Sequence, residues 1–85
     1  MARVEIYTKI FCGFCGSAKR LLERKGVEYE EYDISMGGPK RAEMIQRADG
    51  RTSVPQIFID DAHVGGCDDL HDLDRDGRLD PILGL

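Results

Sequence analysis

The sequence predicts an α/β protein: one mixed four-stranded sheet with helices on both faces, in the order β-α-β-α-β-β-α. Three observations carry that prediction. Short stretches of apolar–polar alternation are separated by longer stretches whose apolar residues recur at helical spacing. Glycine and proline mark the joints between them. The last two extended stretches are joined only by Asp60-Asp61-Ala62, which makes a hairpin, whereas the first two are separated by a helix and should run parallel with a right-handed crossover.

Arg3 to Thr8 reads as the first strand, with Val4, Ile6 and Thr8 alternating against Arg3, Glu5 and Tyr7. Lys9-Ile10-Phe11 leads into Cys12-Gly13-Phe14-Cys15. A helix follows, with Cys15, Ala18 and Leu22 on one face and Leu21 beside them. Lys19, Arg20, Glu23, Arg24 and Lys25 fill its wet face, and Gly26 is suited to stop it. Val27 to Ile34 reads as the second strand, although its alternation slips between Tyr29 and Tyr32. Gly37-Gly38-Pro39 is a turn that places proline at the first position of a helix. Ala42, Met44, Ile45 and Ala48 form that helix's apolar side, and Gly50 ends it. Gln56 to Ile59 is the third strand and His63-Val64 the fourth. Gly65-Gly66 then breaks the pattern before a last helix starting near Cys67, with Leu70 and Leu73 pointing inward.

Eighty-five residues make a single domain, 1–85, with a modest core. A hydrophobic fraction of 41% and a charged fraction of 33% are ordinary for a folded soluble domain. Net charge is −4 with both signs interspersed, which argues against nucleic acid as a partner. Met1 to Tyr7 lacks the apolar run of a signal peptide, and no stretch is long enough to span a bilayer. The expected address is therefore the cytoplasm, without a membrane partner, and the expected state a monomer. Three cysteines exclude a fully paired secreted scaffold. A close pair plus one spare points to catalysis or metal binding.

A CxxC pair by itself fits a redox site, half of a zinc site, or chance. Its position here favours redox chemistry, because it stands where a strand ends and a helix begins. Unpaired N–H groups and the macrodipole at a helix N-terminus favour an anion, so Cys12 is expected as the thiolate nucleophile. Cys15 lies one turn further on, along the apolar face. It should be more buried and less ionised, which suits a thiol that attacks only after Cys12 has formed a mixed disulfide. Lys9 adds positive charge nearby.

Tyr7-Thr8-Lys9-x-x-Cys12-Gly13-Phe14-Cys15, then Ser53-Val54-Pro55, then Gly65-Gly66-Cys67-Asp68-Asp69, resembles a bacterial-type dithiol glutaredoxin over essentially the whole chain. The resemblance implies a thioredoxin-like fold and glutathione as cosubstrate. The implied activity is that of a glutathione-disulfide oxidoreductase acting on disulfide-containing and glutathionylated proteins through Cys12 and Cys15. The Val54–Pro55 bond would be cis, with the Val54 backbone pairing with the cysteine of glutathione beside the dithiol. Gly66, Cys67, Asp68 and Asp69 would hold the γ-glutamyl end, N–H groups taking its carboxylate and an Asp side chain its ammonium. Phe14 supplies an apolar ring beside the dithiol. Lys9 is the expected cation for the glycyl carboxylate, with Arg41 a weaker candidate.

Some features depart from that pattern. Gly13 and Phe14 stand where dithiol members more often carry proline and tyrosine, and Ser53 where threonine is usual. Gly13-Phe14 also resembles the monothiol branch, which handles iron–sulfur clusters, although that branch has serine at the position of Cys15 and extra residues before the motif. The alternative function is thus a carrier or assembly protein that dimerises around a [2Fe–2S] cluster ligated by Cys12 and glutathione; no other metal is expected. A redoxin served by a flavin-dependent reductase is a third reading. The lack of any Trp argues against ordinary thioredoxin. Asp72-x-Asp74-x-Asp76-Gly77 imitates half of an EF-hand loop, but its twelfth position would be Leu83, and no helix is expected to follow. His63, His71 and Cys67 fit no common zinc spacing. Cys67 reads as a partly buried third thiol and His71 as a surface residue.

Overall fold

The computed structural model describes residues 2–85. Its elements are β1 (Val4–Thr8), α1 (Gly13–Arg24), β2 (Glu30–Asp33), α2 (Pro39–Arg47), β3 (Gln56–Ile59), β4 (Ala62–Gly65), α3 (Cys67–Arg75) and α4 (Leu79–Leu83). The sheet order is β2-β1-β3-β4. β1 and β2 are parallel, while β1/β3 and β3/β4 are antiparallel. The expected mixed sheet and hairpin are therefore present.

β1 is buried along its whole length. Its alternation separates two cores rather than core from solvent. Val4 and Ile6 join Ala18, Leu21 and Leu22 of α1, Leu70 of α3, and Leu79 and Leu83 of α4. On the other face Tyr7 joins Phe58, Ile34, Met44 and Ala48. The slip in the second strand has the same origin. Val27 and Tyr29 pack into the first cluster, whereas Tyr32 and Ile34 pack into or against the second. The chain crosses from one face to the other between them, so only Glu30–Asp33 pairs as an edge strand.

Two expectations need correction. Ala42 is exposed, and α2 turns Glu43 and Arg47 toward the sheet alongside Met44 and Ala48. These charged side chains satisfy buried partners. Arg47 Nη2 lies 3.0 Å from Glu5 Oε1, and Arg47 Nη1 donates to Tyr7 Oη at 2.8 Å. Tyr7 donates to Glu43, and Tyr32 donates to Glu5 Oε2 at 2.9 Å. Glu5 is only 4% exposed, and the Arg47 guanidinium holds its carboxyl below the usual range.

The second correction concerns the C-terminus, where a helix does follow Gly77. Gly77 takes φ +72° after α3, and α4 then buries Leu79 and Leu83, one turn apart. Pro81 sits in the first turn, where its missing N–H removes no helical bond. Lys25 Nζ reaches Asp74 at 2.6 Å and Asp80 at 2.8 Å, tying the end of α1 to α3 and α4. Asp72 and Asp74 lie inside α3, so the acidic run is not an ion-binding loop.

Candidate active site

Cys12 is the N-cap of α1. Its φ of −111° and ψ of 107° are extended, and its Sγ accepts from the Cys15 N–H at 3.2 Å. Serine, threonine or aspartate ordinarily supplies that acceptor, and here a sulfur does. No acid stands in the first turn of α1 to oppose negative charge on it. Phe11, directly before it, has φ 54° and a fully exposed ring. Ile10, Phe14 and Met36 are also exposed.

Cys15 behaves as its place on the helix predicts. It is 2% exposed, and burial pushes its thiol well above the ordinary value, with the Cys12 sulfur adding to the rise. A backbone group of Lys9 pulls weakly the other way. The leading sulfur is thus half-exposed and the trailing one buried and protonated, with all three cysteines reduced.

The Val54–Pro55 bond is cis, and the Val54 carbonyl oxygen lies 4.0 Å from Cys12 Sγ. From this edge opens a cavity of about 340 Å³, lined by Phe14, Arg51, Ser53, Val54, Pro55, Gly66, Cys67, Asp68 and Asp69. It gathers Phe14, Val54, Pro55, Gly66, Cys67, Asp68 and Asp69 from three distant stretches of the sequence. Lys9 is exposed beyond the end of β1 and is not in the lining, nor is Arg41.

α3 begins at the far wall. Its N-cap is Gly66, which makes no side-chain cap. Asp69 Oδ2 instead accepts from the Gly66 N–H at 2.8 Å, folding the carboxylate back under the turn. Gly65 makes this possible, since a Cβ there would stand 2.2 Å from Asp69 Oδ2, and its φ is +119°. Gly65 therefore makes room for this acid, whereas a Cβ at Gly66 would meet first the Pro55 carbonyl oxygen at 3.4 Å and Arg51 Nη2 at 3.6 Å. Asp68 is exposed and points no such bond back to the chain, whereas Asp69 is committed to Gly66 and Arg51. Cys67 is buried, and His71 is half-buried above it rather than on the surface. His71 Nδ1 lies 2.9 Å from the Cys67 carbonyl and 3.4 Å from its sulfur. Among the described residues, no three His, Cys, Asp or Glu side chains gather as a metal-ligand set. No helix among them is long and apolar enough to cross a membrane.

Arg51 is the residue that sequence reasoning missed. It lines the same cavity as Phe14 and pairs with Asp69 at 3.4 Å.

A reduced dithiol, its leading sulfur capping a helix at the edge of a mixed four-stranded sheet, beside a cis-proline loop, defines a thioredoxin-like thiol–disulfide oxidoreductase. Comparison with known proteins narrows the class. The sequence model of the Glutaredoxin family matches residues 4–64. Glutaredoxin 3 of Escherichia coli K12 is 59% identical over 83 residues, covering 98% of this chain and 99% of that one. The solution structure of a glutaredoxin from Brucella melitensis superposes with a TM-score of 0.84 at 52% identity, covering 98% of this chain and 89% of that one. A crystal structure of a buckwheat glutaredoxin–glutathione complex does so with a TM-score of 0.87 at 30% identity, covering 98% and 77%. The chain belongs to the glutaredoxin family and is an oxidoreductase of that kind.

Proposed function

We propose that the chain, acting as a monomer in the reducing cytoplasm, uses glutathione to reduce protein disulfides and protein–glutathione mixed disulfides. The observation that carries this reading is the cavity running from Phe14 and Val54, whose carbonyl oxygen lies 4.0 Å from Cys12 Sγ, to the start of α3. It offers a backbone carbonyl beside the sulfur and, beyond, helical N–H groups without a side-chain cap. A γ-glutamyl tripeptide with a central thiol matches that sequence of groups.

The Cys12 thiolate attacks the glutathione sulfur of a mixed disulfide. The protein's sulfur leaves as a thiolate and takes a proton, and Cys12 now holds glutathione. A second glutathione thiolate attacks the glutathione sulfur in turn, releasing glutathione disulfide and restoring Cys12. With a protein disulfide, Cys12 first bonds to the protein. Cys15 then loses its proton, attacks Cys12 Sγ and releases the reduced protein, leaving a Cys12–Cys15 disulfide for two glutathione molecules to reduce. Burial keeps Cys15 protonated until a mixed disulfide forms next to it, which gives the two thiols their order.

The two serine variants test the roles. Cys12→Ser should abolish every transfer, because serine does not ionise to a nucleophile. Cys15→Ser should retain turnover of glutathione mixed disulfides and lose efficient reduction of protein disulfides, measured with glutathione reductase and NADPH. Matching profiles for the two variants would overturn the assignment.

A further inference from the structure

Arg51 lies outside every motif of the sequence, yet among the described residues its guanidinium is the one cationic group in the cavity lining. Its Nη1 and Nη2 stand 3.4 and 3.5 Å from Asp69 Oδ2. Nη2 is also 3.6 Å from the point where a Cβ on Gly66 would sit. The guanidinium therefore hangs over the first turn of α3, where the N–H groups of Cys67 and Asp68 meet no side-chain cap.

Two acids occupy that same turn, Asp68 and Asp69. An incoming carboxylate would meet helical N–H groups that attract it and two carboxylates that repel it. Arg51 resolves the conflict. Paired to Asp69, it cancels one of the two charges and sets a forked donor at the mouth of the helix. The pair is about half-exposed on both sides, 48% and 46%, so its attraction is weak and the fork can turn toward a better acceptor at little cost. Asp69 cannot follow, because the Gly66 N–H holds it at 2.8 Å.

We propose that Arg51 binds the α-carboxylate of the γ-glutamyl residue, with Asp69 as the positioning residue that holds the guanidinium over α3. Asp68, exposed and free of such a bond, keeps the part that the resemblance to glutaredoxins implies, accepting from the ammonium of the same residue. The site thus reads a zwitterion by a cation from the segment before β3 and an acid on the first turn of α3. This inference rests on the glutathione reading of the cavity given above.

The test compares wild type, Arg51→Gln and Arg51→Lys on one carrier peptide joined by a disulfide to glutathione, to γ-glutamylcysteine, or to cysteinylglycine. In Arg51→Gln the KM should rise about fivefold for the two γ-glutamyl probes, the scale of an exposed ion pair. The kcat and the KM for cysteinylglycine should not move, and Arg51→Lys should recover part of the loss. Unchanged KM for the γ-glutamyl probes, or an equal rise for cysteinylglycine, would overturn the assignment of Arg51 alone. A rise for glutathione and cysteinylglycine but not γ-glutamylcysteine would move Arg51 to the glycyl end and overturn it also. A wild type that does not distinguish glutathione from cysteinylglycine would instead overturn the glutathione reading of the cavity, and the inference with it.

Discussion

Replacing Gly65 with alanine attacks the site through the backbone. The new Cβ would stand 2.2 Å from Asp69 Oδ2 and 2.7 Å from its Cγ, so the carboxylate must leave. Three losses follow. Holding an L residue at φ +119° costs about 1–3 kcal/mol. Freeing the Gly66 N–H, now bonded to Asp69 at 2.8 Å, removes a cap worth about 1 kcal/mol. The half-exposed Arg51–Asp69 pair adds a few tenths of a kcal/mol at most. The total is about 3 kcal/mol, and at this chain length that lowers Tm by roughly 12–24 °C. Thermal and urea melts followed by far-ultraviolet circular dichroism measure it. Gly77→Ala is the control, since Gly77 has φ +72° with nothing within 4 Å of its Cβ position. It should lose only the backbone cost of about 1–2 kcal/mol. If the two variants melt together, Asp69 does not need the space that Gly65 leaves.

Two further outcomes test the packing behind the site. Glu5 has its folded pKa depressed by Arg47, so its stabilisation is present above the ordinary value of about 4.5 and is lost as pH falls through the folded value. The urea stability of wild type minus that of Glu5→Gln should therefore shrink as pH drops from 7 to 3, and parallel profiles would refute the pairing. Leu83→Ala removes a side chain that is 1% exposed and should cost about 2–3 kcal/mol by urea melting. A negligible loss would mean that α4 does not seal the first core.

What the sequence disclosed, it disclosed through local constraint. A cysteine one residue before a helix, a proline before a strand and a glycine pair before an acidic helix start each fix a backbone state within a few residues. The dithiol order follows from the first of those, whereas the cis bond and most of the cavity lining were legible only through the resemblance to glutaredoxins. Arg51 was hidden because its place depends on two segments eighteen residues apart meeting in space, and nothing local marks the arginine. The inner face of α2 misled for a different reason. Periodicity assumes that buried positions are apolar, and Glu43 and Arg47 break the assumption because Glu5 and Tyr7 supply their partners. The second strand was half legible: the slip at Tyr29 to Tyr32 was visible, but that it marks a change of face required both cores to be seen.

The sulfur that caps α1 also has a bearing on the balance between dithiol and disulfide. A hydrogen bond from the Cys15 N–H at 3.2 Å is strongest when Cys12 carries full negative charge. It weakens whenever that sulfur is bonded to another. The first turn of the helix is therefore better satisfied in the reduced protein than in any of its oxidised forms. Such a bias raises the reduction potential, making the oxidised protein readier to accept electrons. If the cap differs by about 1 kcal/mol between the two states, the two-electron couple moves by about 20 mV. The poise of the protein is in this way set partly by a secondary-structure preference, and the same N–H that starts the helix helps decide the direction in which electrons flow.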